Sequence, residues 1–571
     1  MKKILLSIAC ATMVISTTTA APTFTQLNTV KYDNIITSKD ASYQNPVAYT
    51  ADKQVYMAGT FDAEFTAATP LAPIATSAYL IKYDTQLKAL WNVALQGAAT
   101  ITSITTDQNG GAYIAGSLAD DVIFQSTDGN NITKGGMKID GTYTTKQNAA
   151  FIAQYDANGV LKAVQTFIPE MRADLVASGK YYPSDGDVYF SINKVECANS
   201  KLYASAIYTG KTVNGTNTFE ASYVNVENFM FLDSPASSIF SVKADLSSDK
   251  VIVAIKSGDN IPDQMEVKST TFTVENNTLY TGMVATGNET YTILGKNSDL
   301  KFAFPGDGNI GYGHIISAVD LTANTSVTKT YEYITDNSSA SINKIRYMHV
   351  KGDNLILSGT FLGDLAFDNK VKAIGADDIY AVALKKSDLS VIWATSTGFD
   401  EGEPTKFEEI FNGATVISDY IILTGYSDTK KDHTLTKNLF YTVDLMTGGI
   451  EGKATEGTYS TGIVAEVDNN NYAQATVVGP AITGVALTTY TRIASVDGTE
   501  ILKGVTVYPN PVVDELHFSE PCNVNIIALD GKSVITEVNV SSVNVSSLAP
   551  GMYFATITID NAKTTVKIIK K

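Results

Sequence analysis

The sequence predicts an all-β protein: a β-propeller of seven blades, with six or eight as alternatives, followed by a small C-terminal β-sandwich. Three observations lead there. A pair of short apolar strands recurs through residues 22–501, those strands are apolar on both faces, and helical periodicity is almost absent while Tyr, Thr, Val and Ile fill the runs.

Taken in chain order, the first element is a leader. Lys2 and Lys3 precede an apolar stretch from Ile4 to Ile15, and Thr18-Thr19-Ala20 supplies small residues before Ala21-Pro22. Residues 1–20 are therefore expected to be a signal peptide cut after Ala20. Cys10 lies in the apolar stretch, but Ser7 stands where lipoprotein signals carry Leu. Beyond this leader no apolar run approaches the length of a membrane span.

The body follows. One strand type recurs as Val55-Tyr56-Met57-Ala58-Gly59, Ala112-Tyr113-Ile114-Ala115-Gly116, Leu202–Ala206, Leu279–Met283, Leu355–Gly359, Ile421–Gly425 and, most weakly, Tyr472–Thr476. A second type alternates with it: Ala78–Asp84, Ala150–Asp156, Ser238–Asp245, His314–Asp320, Ile379–Leu384, Leu439–Asp444 and a blurred copy at Val485–Thr491. In the second type Tyr79, Ile81 and Tyr83 point one way and Ala78 and Leu80 the other. An open sandwich would show polar residues on one side, whereas small sheets packed between two neighbours need apolar residues on both.

Finer details repeat as well. Leu87 stands four residues before Trp91 and Leu389 four before Trp393, so the two tryptophans occupy one repeat position and are expected to pack between sheets. These residues resemble the bacterial β-propeller repeats of the SBBP type, which pair a Gly-x-Tyr-aliphatic-small-Gly strand with an Ala-Phe-aliphatic-x-x-Tyr-Asp strand and a tryptophan behind it. Gly111–Gly116 with Ala150–Asp156 is the nearest copy; the third and seventh units lack the terminal glycine. Each unit runs to about 50–90 residues, beyond the roughly 40–50 of familiar propeller repeats, and the excess belongs to loops. The largest insertions are Pro169–Ser200, Thr209–Ser237 and Asn297–Gly313. Loops on a rigid scaffold are where binding concentrates.

Charge and chemistry narrow the function. The formal charge is −17, and losing Lys2 and Lys3 with the leader gives −17 − 2 = −19. Such a polyanion is repelled by nucleic-acid phosphates and anionic lipid, so nucleic acid is not an expected partner. Cys197 in the body and Cys522 in the tail form neither a disulfide framework nor a metal set. The four histidines, His314, His349, His433 and His517, are scattered, with no zinc-helix motif. Gly210-Lys211-Thr212 and Gly531-Lys532-Ser533 lack the upstream glycine of a phosphate loop. Ser184-Asp185-Gly186-Asp187 and Pro305-Gly306-Asp307-Gly308-Asn309 read as solvated turns ahead of calcium loops. Asp400, Glu401, Glu403, Glu408 and Glu409 crowd five carboxylates together, but a glycosidase needs two of them facing one cleft. No catalytic, cofactor-binding or metal-ligating residue is assigned from sequence, and no cofactor is expected.

The tail, Val505–Lys571, carries the most specific pattern. Pro509 and Pro511 fix φ where a linker must stop and a strand begin. Asp530-Gly531 and Pro550-Gly551 are turn signals, the latter ahead of Tyr553, Ala555, Ile557 and Ile559 on one strand face. Tyr508-Pro509-Asn510-Pro511, Leu529-Asp530-Gly531-Lys532, Leu548-Ala549-Pro550-Gly551-Met552-Tyr553 and the basic end at Lys567, Lys570 and Lys571 together resemble the type A C-terminal sorting domain of the Bacteroidetes type IX secretion system. With the repeats giving a propeller domain over 22–501, the resemblance implies a linker and cleavage region at 502–507 cut near Lys503-Gly504, and a sorting domain over 508–571. It also implies recognition by the type IX machinery after passage through the periplasm, and a body either released or attached at the cell surface. What that body binds is left open between polysaccharide and protein. A binding module is favoured over the alternative, an extracellular polymer-degrading hydrolase or lyase with carboxylates at one propeller mouth.

Overall fold

A computed structural model describes residues 23–36, 46–135, 149–170, 188–225, 231–257, 269–286, 288–301, 310–335, 343–373, 377–397, 407–429, 435–455, 463–478, 484–493, 506–528, 532–559 and 562–571. Every regular element among them is a strand. Two compact units emerge, 25–491 on one hand and 492–571 with 1–24 on the other.

In the larger unit, seven antiparallel sheets with four core strands each follow one another among the described residues. Their innermost strands are Val47–Tyr49, Ala99–Thr106, Phe190–Ala198, Ser269–Glu275, Lys344–Lys351, Phe407–Ile417 and Ile463–Asp468. Each touches the next, and the seventh touches the first, so the inner strands close a ring. That is a seven-bladed β-propeller. The last blade is completed by the first described strand: Thr23–Tyr32 lies outermost beside Gly484–Ile493, and Thr29 and Thr488 hydroxyls meet at 3.0 Å. Joining the two ends of the ring's chain in one sheet removes the seam.

Both repeated strand types are the two middle strands of each blade. Val55–Phe61 and Ser77–Tyr83 are buried at every position, as is Ala236–Val242. Apolar residues on both faces are satisfied because each blade is sandwiched between two others, and the cores alternate with the blades. The blurred seventh unit is a full blade: Asn471–Val478 pairs with Gly484–Ile493 from Asn471–Thr491 to Val478–Gly484.

The repeat glycine has a local cause. The inner strand carries a β-bulge at Thr102, Asn193, Arg346 and Asn412 in blades two, three, five and six. The bulge drives an inner-strand carbonyl onto the partner strand. A Cβ at Gly116 would stand 1.8 Å from Thr100 O, one at Gly359 1.7 Å from Lys344 O, and one at Gly425 2.3 Å from Ile410 O. Blade four has an unbroken register, and its glycine stands one residue earlier, at Gly282, with Met283 at the repeat position. Blade three is the exception, with Ala206 opposite its bulge.

Strand parity sorts the connections. The first-to-second turn of every blade and the third-to-fourth turn of blades one to six emerge on one face, and these are tight, such as Thr50–Gln54 and Asp156–Val160. The second-to-third and blade-to-blade connections leave from the opposite face. The described ends of the three long insertions, at 169–170 and 188–189, at 209–210 and 234–235, and at 301 and 310, lie in connections of that second kind. Two of these connections send hairpins back: Asp121–Phe124 with Ile132–Gly135 adds to the outer edge of blade one, and Asn288–Ile293 with Lys296–Lys301 to that of blade three.

The smaller unit is built on one long bent strand, Glu515–Ala528, which pairs with Val507–Tyr508, Ser533–Asn544 and Gly551–Ile559; Ala562–Lys570 adds beyond the last. Its core gathers Leu516, Phe518, Val524, Ile526, Ala555, Ile557 and Ile568.

Candidate functional site

The tight-turn face is where titratable groups converge. Lys194 and Glu196 lie near the end of blade three's inner strand, Glu275 ends that of blade four, Tyr347, His349 and Lys351 stand in blade five, and Glu466 and Asp468 in blade seven. All are half-buried and sit on the ends of inner strands that run toward this face, at the axial mouth of the ring. Lys194 Nζ pairs with Glu196 Oε2 at 2.8 Å and donates to Phe272 O at 2.5 Å, with the ammonium 5.1 Å from the Phe272 ring centroid. Glu196 Oε1 accepts from Val274 N at 2.7 Å and Thr273 Oγ1 at 3.1 Å, so this ion pair also ties blade three to blade four. Lys351 Nζ reaches Asn469 Oδ1 of blade seven at 3.3 Å, and Lys53 of blade one pairs with Asp468 at 2.6 Å.

The surroundings set the protonation states. Burial pushes His349 down to about 4; Lys194 and Lys351 act in the same direction, against Glu196 and Glu275. At neutral pH this imidazole is uncharged, and it stacks parallel to Tyr347 with centroids 6.2 Å apart and planes at 11°. Burial raises the Tyr347 phenol, with Glu466 and Glu196 adding to the effect. Burial also raises Glu466, and Asp468 adds to this while Lys351 opposes it. A neutral imidazole, a carboxyl with raised proton affinity and two ammonium groups can hold a polar ligand or move a proton. Among the described residues no three His, Cys, Asp or Glu side chains gather as a metal set.

Beside the mouth, between blades one and two, the same face holds a cleft of about 740 Å³. Its base is a cluster of donors from blade one on two carbonyls of blade two. Lys82 Nζ donates to Gly110 O at 3.0 Å and Ala157 O at 3.1 Å, Tyr56 OH to Gly110 O at 2.8 Å, and Trp91 Nε1 to Ala157 O at 3.0 Å. Burial lowers the Lys82 ammonium, while Asp52, Asp107 and Asp156 hold it charged. Around this base stand Asp52, Gln54, Asn109 and Asn158. Planar amides over a partly aromatic floor suit a neutral polar ligand.

Several sequence-predicted residues take structural roles. Trp91 and Trp393 occupy equivalent places: Trp393 Nε1 donates to Leu445 O at 3.0 Å as Trp91 does to Ala157 O, and Gly159 and Gly448 lie flat against the two indoles. They lock one blade to the next. The acidic ends of the second strand type cap turns, since Asp84, Asp156, Asp320 and Asp444 carboxylates each accept backbone N–H groups within their own turn. Of the crowded carboxylates, Glu409 is buried, accepting from Ile379 N at 3.0 Å, Tyr441 OH at 3.3 Å and Thr397 Oγ1; it joins blades five and six. Asp400, Glu401, Glu403, the Glu408 side chain, residues 184–187 and 305–309, and the leader with Ala20 lie outside the described residues.

In the tail, Tyr508 ends the short strand Val507–Tyr508, and Pro509 and Pro511 follow cis peptide bonds. Asn510 clamps the final strand, donating to Lys567 O at 2.6 Å and accepting from Ile569 N at 2.9 Å. Tyr553 OH caps Ala549 O at 2.9 Å beside Pro550-Gly551, and Lys532 O closes the turn onto Ala528 N at 2.9 Å; Asp530 and Gly531 lie outside the described residues. Lys567 and Lys571 are exposed, while Lys570 is buried. Sequence reasoning missed His349, Glu466 and Lys82. The signal was a polar residue at every second position, Tyr347-His349-Lys351 and Lys194-Glu196, which marks a strand face without saying what faces it.

Residues 506–571 match the secretion system C-terminal sorting domain. No curated protein matches the chain. Among solved structures, the chain is similar to the propeller of Dos1, at 10% identity over 82% of this chain and 95% of that one with a TM-score of 0.39. It is also similar to the Cps50 (Swd1) β-propeller domain of Myceliophteria thermophila, at 9% identity over 82% and 99% with a TM-score of 0.37. A third, a protein of unknown function from Dyadobacter fermentans, shows 7% identity over 83% and 100% with a TM-score of 0.36. The propeller assignment rests on strand pairing and the closed inner ring, not on these likenesses. No helix among the described residues is long and apolar enough to cross a membrane.

Proposed function

We propose that this chain is a Bacteroidetes protein whose propeller is delivered outside the cell by its tail and there binds an extracellular ligand on the tight-turn face. The sorting-domain match over residues 506–571 carries the first half of this reading. In it, residues 1–20 are a leader cut after Ala20, 22–501 the delivered body, 502–507 the release region and 508–571 the sorting domain. The body is then released or stays at the cell surface. The cleft between blades one and two supports the second half: its amides and buried Lys82 offer donors and acceptors to a polar, uncharged partner, for which a saccharide is the fitting class. Deleting Val505–Lys571 should leave the body in the periplasm; continued surface delivery would overturn the export half. Glycan-array binding by the secreted body, weakened in Gln54→Ala and Asn109→Ala, tests the other.

The axial mouth favours a second reading, a polymer-degrading hydrolase or lyase, because burial raises Glu466 toward the working range of proton transfer, while His349, pushed down to about 4, stays uncharged at neutral pH as a polar partner on the same mouth. Turnover of a polysaccharide that vanishes in both His349→Gln and Glu466→Gln would establish it.

A further inference from the structure

The tail's sheet buries a core on one face, and its other face, polar along Asn525, Thr556 and Thr558, turns apolar at one end. Val524, Ile526, Ala555, Ile557 and Ile568 build that core. Their alternates on the neighbouring strands point the other way and stand outside it. Met552 lies opposite Ile569, Phe554 opposite Lys567, and Ile527 opposite Phe554, which places Ile527, Phe554, Met552 and Ile569 together at one end of the outward face. Met552 is 36% and Ile569 43% exposed, and Phe554 and Ile527 are half-buried. A contiguous apolar face on a small domain marks a docking surface.

Charge indicates what covers it. Residues 506–571 carry five lysines against three aspartates and three glutamates, 5 − 6 = −1, within a chain of −17. Exposed Lys567 sits on the outward face itself, and exposed Lys571 is the next-but-one residue after Ile569. The rest of the chain sums to −17 + 1 = −16, so the lysine rim sets this face apart from the acidic body and favours an acidic partner.

We propose that Ile527, Phe554, Met552 and Ile569, rimmed by Lys567, form the face by which the tail is read, and that the occupant is an apolar surface edged with carboxylates on the type IX export machinery. This rests on the sorting reading of the tail. The test is export of the full chain in a cell with that machinery, comparing periplasmic and extracellular fractions. Met552→Glu and Ile569→Glu should each raise the uncut periplasmic fraction roughly tenfold or more, as loss of an interface anchor does. Lys567→Glu should retain the protein to a smaller extent. Met552→Leu, Ile569→Val and Val538→Glu, the last at a 70% exposed position off this patch, should export normally.

Normal export of Met552→Glu and Ile569→Glu would overturn the proposal, as would equal retention of Val538→Glu or of the Leu and Val variants. Two further outcomes would assign the face elsewhere and likewise overturn it: a shift from dimer to monomer in the Glu variants, meaning a second copy covers it, or a lowered melting temperature of the propeller, meaning the body does. If deleting Val505–Lys571 itself leaves export intact, the sorting reading fails; if only the deletion blocks export, this face alone fails.

Discussion

Gly359 shows how little room a single residue can have. A methyl group there would overlap Lys344 O, a backbone atom that cannot swing aside, so Gly359→Ala should cost about 3 kcal/mol or more in urea unfolding. The same substitution at Gly363, where an added Cβ meets nothing but φ is +73°, should cost about 1 kcal/mol. Equal losses at the two sites would refute the bulge explanation. Leu87 and Leu389 pay a related conformational cost, at φ of 60° and 58°, and in return place their side chains in the core. His314 is buried between the Tyr333 and Phe367 rings, with Nε2 against Asn343 O at 3.2 Å, and burial pushes it down to about 4 from 6.5. The folded state then binds fewer protons than the unfolded state between those values. Stability from this residue is whole above pH 6.5 and falls as pH drops toward 4, by roughly 3 kcal/mol. Denaturation midpoints measured from pH 7 to pH 4 should show a shallower decline in His314→Phe than in the native chain. The glycines and the leucine–tryptophan spacing were visible in the sequence, but their cause was not, because the clashing carbonyl belongs to a different strand.

At the scale of elements, two features hold the ring. Thr23–Tyr32 supplies the outer strand of the seventh blade, so removing residues 23–32 should expose the edge of Gly484–Ile493, lower the melting temperature and promote aggregation in light scattering. An unchanged melting temperature would mean that the ring closes without it. The hairpin Asp121–Gly135 leaves blade two, adds to blade one, and seats buried Phe124 against Phe151 with centroids 5.0 Å apart. Phe124→Ala should therefore cost about 3–5 kcal/mol in unfolding, as expected for a core aromatic. The strands themselves were legible from two-face apolarity. The hairpins were not, since short polar runs such as Lys296–Lys301, exposed almost throughout, carry no periodic signal.

For the whole molecule, the proposed function divides between a ring that presents binding surfaces and a sorting tail that directs export. Both candidate sites, the axial mouth and the cleft, lie on the tight-turn face, whereas sequence reasoning points to the long insertions, which fall in the second-to-third and blade-to-blade connections. If the tight-turn reading is right, Lys82→Met should weaken ligand binding together with the blade contact, while Asn109→Ala should weaken binding with the melting temperature unchanged; loss of stability in Asn109→Ala would make the cleft structural. The sequence by itself determined the strand type, the repeat and the tail, because periodicity, turn chemistry and linear motifs are local and written in order. Only the tertiary structure decided the closed count of seven, the bulge behind the glycines, and the meeting of Glu196, His349 and Glu466. Those depend on which strand ends are brought together when the ring closes, and residues some 270 positions apart share no signal along the chain until packing makes them neighbours.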